Sequence, residues 1–198
     1  MDLWYAPTSP FARKVRVAAH ELGLDHRLRL IETNPWTDAR LRALNPLAKV
    51  PTLVLDDGEV VWESGVIAER LAAMAPAQDL FPAAGERRWR ALSLQALADG
   101  ASTAAGRLFA DEHRPPNERS ETMLARFAAT LEAVLDHLEQ EALAAAPTIG
   151  EIAVAVFLGY LDFRWPARDW RAGRPRLGAW FDDFAARPSM AHSAHRLP

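Results

Sequence analysis

Three short stretches of this chain carry polar residues that could handle a small charged ligand. Thr8 and Ser9 set two hydroxyls just ahead of Pro10, a residue suited to the first position of a helix. Lys49-Val50-Pro51 offers a cation that could hold a carboxylate. Glu63-Ser64-Gly65 places a carboxylate and a hydroxyl at the start of an expected helix. Free N–H groups and the helix dipole favour an anion there, while Glu63 can pair with an amine. Each stretch also has a plainer reading. Thr8 and Ser9 could be helix caps, Lys49 a solvated loop charge and Glu63-Ser64 an exposed helix start. The chain has no cysteine, which removes disulfides, thiolate metal sites and a protein sulfur nucleophile. Any thiol chemistry must use the thiol of a bound small molecule.

The elements that would position these residues fall into two groups. Up to residue 75, strand and helix signals alternate. Leu3-Trp4-Tyr5 reads as a short strand. Phe11, Val15, Ala18, Ala19 and Leu22 recur at helical spacing, with Gly23 as terminator. His26 to Ile31 alternates Leu28 and Leu30 with arginines, as a half-buried strand does. A short helix is expected over Thr37 to Leu44. Two apolar runs, residues 51–55 and 60–62, flank Asp57-Gly58 and predict a hairpin. A helix with Ile67 and Leu71 inward follows. The order is β-α-β-α-β-β-α. Its first two strands need a helical crossover and should be parallel, and helices should cover both faces of a four-stranded mixed sheet.

Residues 76–85 have the composition of a linker. From residue 86 to residue 198 the pattern is helical throughout. Glu86 to Phe109 forms one helix, with a bend expected at Gly100. Met123, Phe127, Leu131, Val134, Leu135 and Leu138 line one face of the next. Thr148 and Glu151 have capping-box spacing and start an apolar helix through Tyr160. Leu177 to Arg187 makes a last helix.

Composition narrows the function. Of 198 residues, 49% are apolar and 25% charged, as in ordinary globular proteins. A net charge of −3 gives no general attraction to nucleic acid or anionic membrane. Arg164 to Arg176 interleaves arginines with Trp165 and Trp170, a hint of a nucleic-acid patch. With no basic run elsewhere, a solvated loop beside a ligand site is the expectation. The uncharged run Ile152 to Leu161 is far short of the ~20 residues of a membrane helix. Strand-like residues follow Met1 and Asp2 directly, so a cytoplasmic address without a signal peptide is expected. The histidines show no metal spacing, and His192 and His195 fall near an end expected to be poorly ordered.

Taken in order, these stretches resemble a known family. Ser9-Pro10-Phe11-Ala12-Arg13-Lys14 after a first strand resembles the N-terminal motif of bacterial Ser-type glutathione transferases. Asn45-Pro46-Leu47-Ala48-Lys49-Val50-Pro51 and Glu63-Ser64-Gly65 resemble the second and third glutathione-site motifs. Leu80-Phe81-Pro82 and Arg187-Pro188-Ser189 extend the likeness over essentially the whole chain. The resemblance implies a thioredoxin-like domain, residues 1–75, and an all-helical domain, residues 86–198. It implies glutathione as co-substrate, no metal, and a homodimer pairing the first domain of each subunit with the second of the other.

On that resemblance, Lys49, Val50, Glu63 and Ser64 would bind glutathione. Lys49 would take the glycyl carboxylate and Ser64 the γ-glutamyl carboxylate. Glu63 would take the amine. A cis Val50–Pro51 bond, which the family implies, would let the Val50 backbone pair with the cysteinyl part of the ligand. Ser9 is the expected catalytic residue, with Thr8 its near rival and Tyr5 a more distant one. A hydroxyl donating to sulfur favours the thiolate. A free thiol of pKa ~8.5 is only a few per cent ionised at neutral pH, and each unit of lowering is worth about 1.36 kcal/mol. Ser9 would then stabilise a nucleophile without being one. Ser9 and Ala12 stand where glutaredoxin-like relatives have cysteines, so protein-based dithiol exchange is excluded. Pro10, Phe11, Trp36, Phe109 and Trp165 are expected to line the pocket for a hydrophobic electrophile, peroxide or disulfide. A non-catalytic carrier or a regulatory protein-binding module would keep the same fold.

Overall fold

A computed structural model describes residues 1–75 and 79–197. Part of the expected linker, residues 76–78, and the last residue of the expected helical domain lie outside the described residues. The first half contains β1 (Asp2–Tyr5), α1 (Pro10–Glu21), a 3-10 turn (Asp25–Arg27), β2 (Arg29–Glu32), α2 (Ala39–Leu44), β3 (Thr52–Val54), β4 (Val60–Trp62) and α3 (Ser64–Ala72). The sheet order is β2-β1-β3-β4. β1 and β2 are parallel, joined by α1, and the other two pairings are antiparallel. The β3–β4 turn closes at Gly58, whose φ of +89° is open to glycine at no steric cost.

The period of two sorts the strand residues onto two faces. Leu3, Leu53 and Val61 align across β1, β3 and β4 and are buried beneath α1 and α3. Trp4, Thr52 and Trp62 align on the opposite face, where α2 lies. There the Arg40 guanidinium sits 5.3 Å from the Trp4 ring centroid, and Trp62 Nε1 donates to the Leu44 carbonyl at 3.1 Å.

Three local expectations need correction. Leu30 is 41% exposed, because β2 is an edge strand whose main packing partner is β1 and not a covering helix. α2 begins at Ala39, because the Asp38 carboxylate caps it by accepting from the Arg40 N–H at 3.0 Å. The helix expected over Leu177 to Arg187 is present as α7 (Pro175–Ala185) but is not the last, because Pro188 starts a further short helix, α8 (Pro188–His192).

The remainder of the helical half is α4 (Gly85–Glu112), a 3-10 turn (Pro116–Glu118), α5 (Glu121–Gln140) and α6 (Ile149–Arg164). α4 runs as one helix through Gly100. α6 is buried without a break from Ile149 to Leu158, as a helix apolar on all sides must be. It packs on α4, α7 and α1, so it joins the two halves. Contact with α4 is close at Gly150, where a Cβ would come within 2.8 Å of the Ala91 carbonyl oxygen. The capping box is present: Glu151 accepts from the Thr148 N–H at 2.9 Å and the Thr148 hydroxyl at 2.5 Å. Among the described residues no helix is long and apolar enough to cross a membrane.

The C-terminal segment is tied to the first half. Glu21 accepts from Arg187 at 2.7 and 3.0 Å and from the Ser189 hydroxyl at 2.5 Å. The arginine-rich stretch is not a solvated loop. Arg171 grips Asp162 twice at 2.9 Å, and Arg174 bonds Asp136 at 2.8 Å and Glu132 at 2.6 Å. Trp170 is buried and donates to Asp162 at 2.6 Å. These pairs fix the α6–α7 connection against α5 and α6.

Candidate functional site

Between the two halves lies a cleft of about 1340 Å³. One wall is built by residues 6–11 at the start of α1, the end of β2, α2 with the loop that leads to β3, and the start of α3, and the other by α4, α5 and α6.

Ser9 enters this cleft at the N-terminus of α1. Its backbone is extended, and its hydroxyl oxygen accepts from the Ala12 N–H at 3.2 Å. It is therefore a helix cap, as the plainer reading has it. Capping and chemistry are compatible, because a hydroxyl has one donor and two acceptor positions and the cap uses one acceptor. The O–H remains to donate into the cleft, next to the dipole of α1. Thr8, Pro10 and Phe11 line the same cleft. Tyr5 is buried behind them and its hydroxyl donates to Glu32 at 3.2 Å.

The loop from Asn45 to Pro51 is held from inside. Asn45 is buried; its amide nitrogen donates to the Lys49 carbonyl at 3.2 Å and the Thr52 hydroxyl at 3.0 Å. Its oxygen accepts from the Leu47 N–H at 3.0 Å. Ala48 follows with φ of +49°, and the Val50–Pro51 bond is cis. Among the described residues no backbone group engages the N–H or C=O of Val50, which lines the cleft beside Lys49.

Glu63 and Ser64 meet the same space from α3. Glu63 has φ of +66°, a left-handed value that costs a non-glycine residue about 1–2 kcal/mol. Such departures collect at ligand sites. Ser64 is the buried first residue of the helix, so its end of α3 presents free N–H groups to the cleft. The cleft thus gathers a hydroxyl at one helix N-terminus, the free N–H groups of a second, a carboxylate and an ammonium.

The expected second pocket is only partly assembled. Pro10, Phe11 and Trp36 line the cleft, with Trp36 92% exposed at its rim. Phe109 and Trp165 are not among the lining residues. They meet edge to face at 5.9 Å, and Trp165 Nε1 donates to Glu112 at 2.7 Å, which turns both toward the α4–α6 seam. Arg42, Arg107, Tyr160 and Arg164 line the cleft instead. The sequence signal for the last two was helical spacing: α6 continues past Tyr160, so Arg164 lies one turn further on the same face.

The C-terminal segment reaches the site from behind. His195 Nδ1 donates to the Pro7 carbonyl at 3.2 Å, two residues before Ser9. Its ring packs on Tyr160 and Phe163 at 5.5 and 5.1 Å. Burial, together with the charge of Arg13, pushes its pKa down to about 3. This end of the chain is packed, contrary to the expectation for His192 and His195. Among the described residues no cluster of three or more His, Asp or Glu could hold a metal ion.

With this geometry in hand, the similarities of the chain become informative. A family model for the glutathione S-transferase N-terminal domain matches residues 8–74, and one for the C-terminal domain matches residues 89–183. The chain is 32% identical to the uncharacterized GST-like protein YibF of Escherichia coli, over 98% of each chain. A glutathione transferase family member from Pseudomonas fluorescens Pf-5, crystallised with bound glutathione, is 38% identical over 99% of each chain, with a TM-score of 0.94. A second crystal structure from that source holds S-(propanoic acid)-glutathione; it is 37% identical over 100% of each chain, with a TM-score of 0.90.

Proposed function

The chain belongs to the glutathione S-transferase family, and from that premise we propose that it binds reduced glutathione and activates its thiol for a second substrate. The observation that carries this reading is charge matching within one cleft. Glu63 and Lys49 make no ion pair among the described residues, and the N-terminus of α3 and the unengaged backbone of Val50 line the same cleft. Glutathione has one amine, two carboxylates and a peptide-like middle, so each group finds an opposite partner. The Pseudomonas relatives with glutathione or its thioether bound support glutathione as the ligand.

In the proposed mechanism the ligand thiol lies at Ser9, whose O–H donates to the sulfur and stabilises the thiolate. The sulfur then attacks an electrophilic carbon, forming a C–S bond while the leaving group departs with its electron pair. Attack on a peroxide or disulfide would follow the same activation. The glutathione-binding unit is residues 1–75, the helical unit is residues 86–198 and residues 76–85 connect them. A homodimer is part of the proposal. The exposed apolar side chains of Trp62, Val66 and Trp89 lie on β4, α3 and α4, and α3 is bound to α4 by the Glu69–Arg88 pair at 2.7 Å. A partner subunit covering them would touch both halves.

Calorimetric titration with reduced glutathione tests the reading. Binding in the micromolar to low-millimolar range, lost in the Glu63→Gln/Ser64→Ala double variant, is the expected result. No binding would favour a regulatory scaffold, and binding without turnover of several electrophiles a carrier.

A further inference from the structure

The charges lining the cleft can be accounted for one at a time. Asp99 is taken by Lys14 at 2.5 Å, Asp111 by Arg114 at 3.0 Å, and Glu32 by Arg196. Glu63 and Lys49 are the pair assigned to glutathione, and Arg42 near them reaches the Pro46 carbonyl at 3.3 Å. Two cations remain on the opposite, helical wall: Arg107 and Arg164. Arg107 is exposed and samples solvent. Arg164 does not.

Arg164 is half-buried, and its Nε is buried with no hydrogen-bond partner among the described residues. Its guanidinium carbon lies 4.2 Å from the Phe109 ring centroid, 4.9 Å from that of Phe163 and 5.1 Å from that of Tyr160. Aromatic faces hold a guanidinium in place without neutralising it. Its neighbours in sequence behave differently: Arg168, Arg171 and Arg174 each take a carboxylate. Arg164 takes none among the described residues. Its Nη groups make no hydrogen bond among the described residues and are not sealed off as Nε is, so they are the donors a ligand in the cleft can meet. The guanidinium fork matches one chemistry best, a planar carboxylate bound through two parallel hydrogen bonds.

We infer that Arg164 is a specificity residue that selects a second substrate bearing a carboxylate. The inference rests on the proposed glutathione-dependent function. The carboxylate of the substrate pairs with Arg164, while its apolar part lies along Tyr160 toward Pro10 and Phe11.

The test uses an unreactive pair that differs only in charge, 3,5-dinitrobenzoate and 3,5-dinitrobenzamide, titrated against the full-length protein by calorimetry. The wild type should bind the benzoate about tenfold more tightly, the size of one charge-assisted hydrogen bond. Arg164→Gln should erase that preference, Arg164→Lys should retain part of it, and Arg107→Gln should leave it nearly intact. Equal binding of the two probes by the wild type, or a preference that survives Arg164→Gln, would overturn the inference. Thermal melts of both Arg164 variants separate lost recognition from lost folding. Glutathione is titrated in parallel. If it fails to bind while the benzoate preference still depends on Arg164, the proposed function falls and the anion site stands.

Discussion

Lys14 and Asp99 form an ion pair across the two halves of the molecule, with Lys14 Nζ 2.5 and 2.7 Å from the two carboxylate oxygens. The lysine is 1% exposed on α1, and the aspartate sits on α4 at the cleft. Burial pulls the Lys14 pKa down, and the adjacent carboxylate opposes this. Removing only the aspartate strands a buried charge. Asp99→Asn should therefore lose roughly 3–5 kcal/mol in urea denaturation at fixed protein concentration. Adding Lys14→Met should restore much of the loss, since a buried pair can be replaced by apolar packing. If the double variant is no more stable than Asp99→Asn, the pair does not act as a unit.

Ser9→Ala should have two separable effects. Loss of the cap to the Ala12 N–H should cost about 1 kcal/mol of stability. Loss of the O–H donor should raise the pKa of the bound glutathione thiol and lower turnover, while glutathione affinity stays within a few-fold. Titrating the thiolate absorbance at about 240 nm reads the second effect. An unchanged titration would move the role to Thr8 or the backbone.

The capping box predicts an acid limit. Burial alone would raise the Glu151 pKa, but bonds from the Thr148 hydroxyl and N–H, with Arg90, outweigh it and hold it below its ordinary value of 4.5. A carboxylate depressed in the folded state adds stability that is present above 4.5 and lost as pH falls through the folded value. Unfolding free energy should therefore drop below about pH 4.5, and Glu151→Gln should flatten that part of the profile.

His195 acts in the same pH direction by another route. Its folded pKa of about 3 lies below its ordinary 6.5, so the released ring takes up a proton that the packed ring refuses. Docking of the chain end onto Pro7 should weaken steadily from pH 6.5 toward 3. Proton NMR of the His195 ring should show it neutral at pH 5, where a solvent-exposed histidine of pKa ~6.5 would be charged. A charged ring at that pH would mean that the contact with Pro7 does not hold in solution.

Much of the architecture was legible from residue patterns. Pro10 after Ser9, the Asp57-Gly58 turn and the Thr148–Glu151 spacing are local signals, read within a few residues, and all three appear where expected. Leu30 was misjudged because alternation reveals a strand but not whether it lies at a sheet edge. The short helix α8 after Pro188 was missed because its five residues are too few to display a helical period.

The candidate site divides along the same line. Sequence alone determined the elements and the residues at their ends: Ser9, Lys49, Glu63 and Ser64 each sit at a junction, and junctions are written in local chemistry. It determined as well that any thiol must come from a ligand, because the chain has no cysteine. Only the tertiary structure decided what faces the cleft from the helical half. Phe109 turned to the α4–α6 seam and Arg164 to the cleft, although both are helical residues of ordinary type. The angle at which α6 crosses α4, fixed partly by the close approach at Gly150, chooses between them. Side chains tens of residues apart are brought together by packing, and no local pattern records which of their faces will meet.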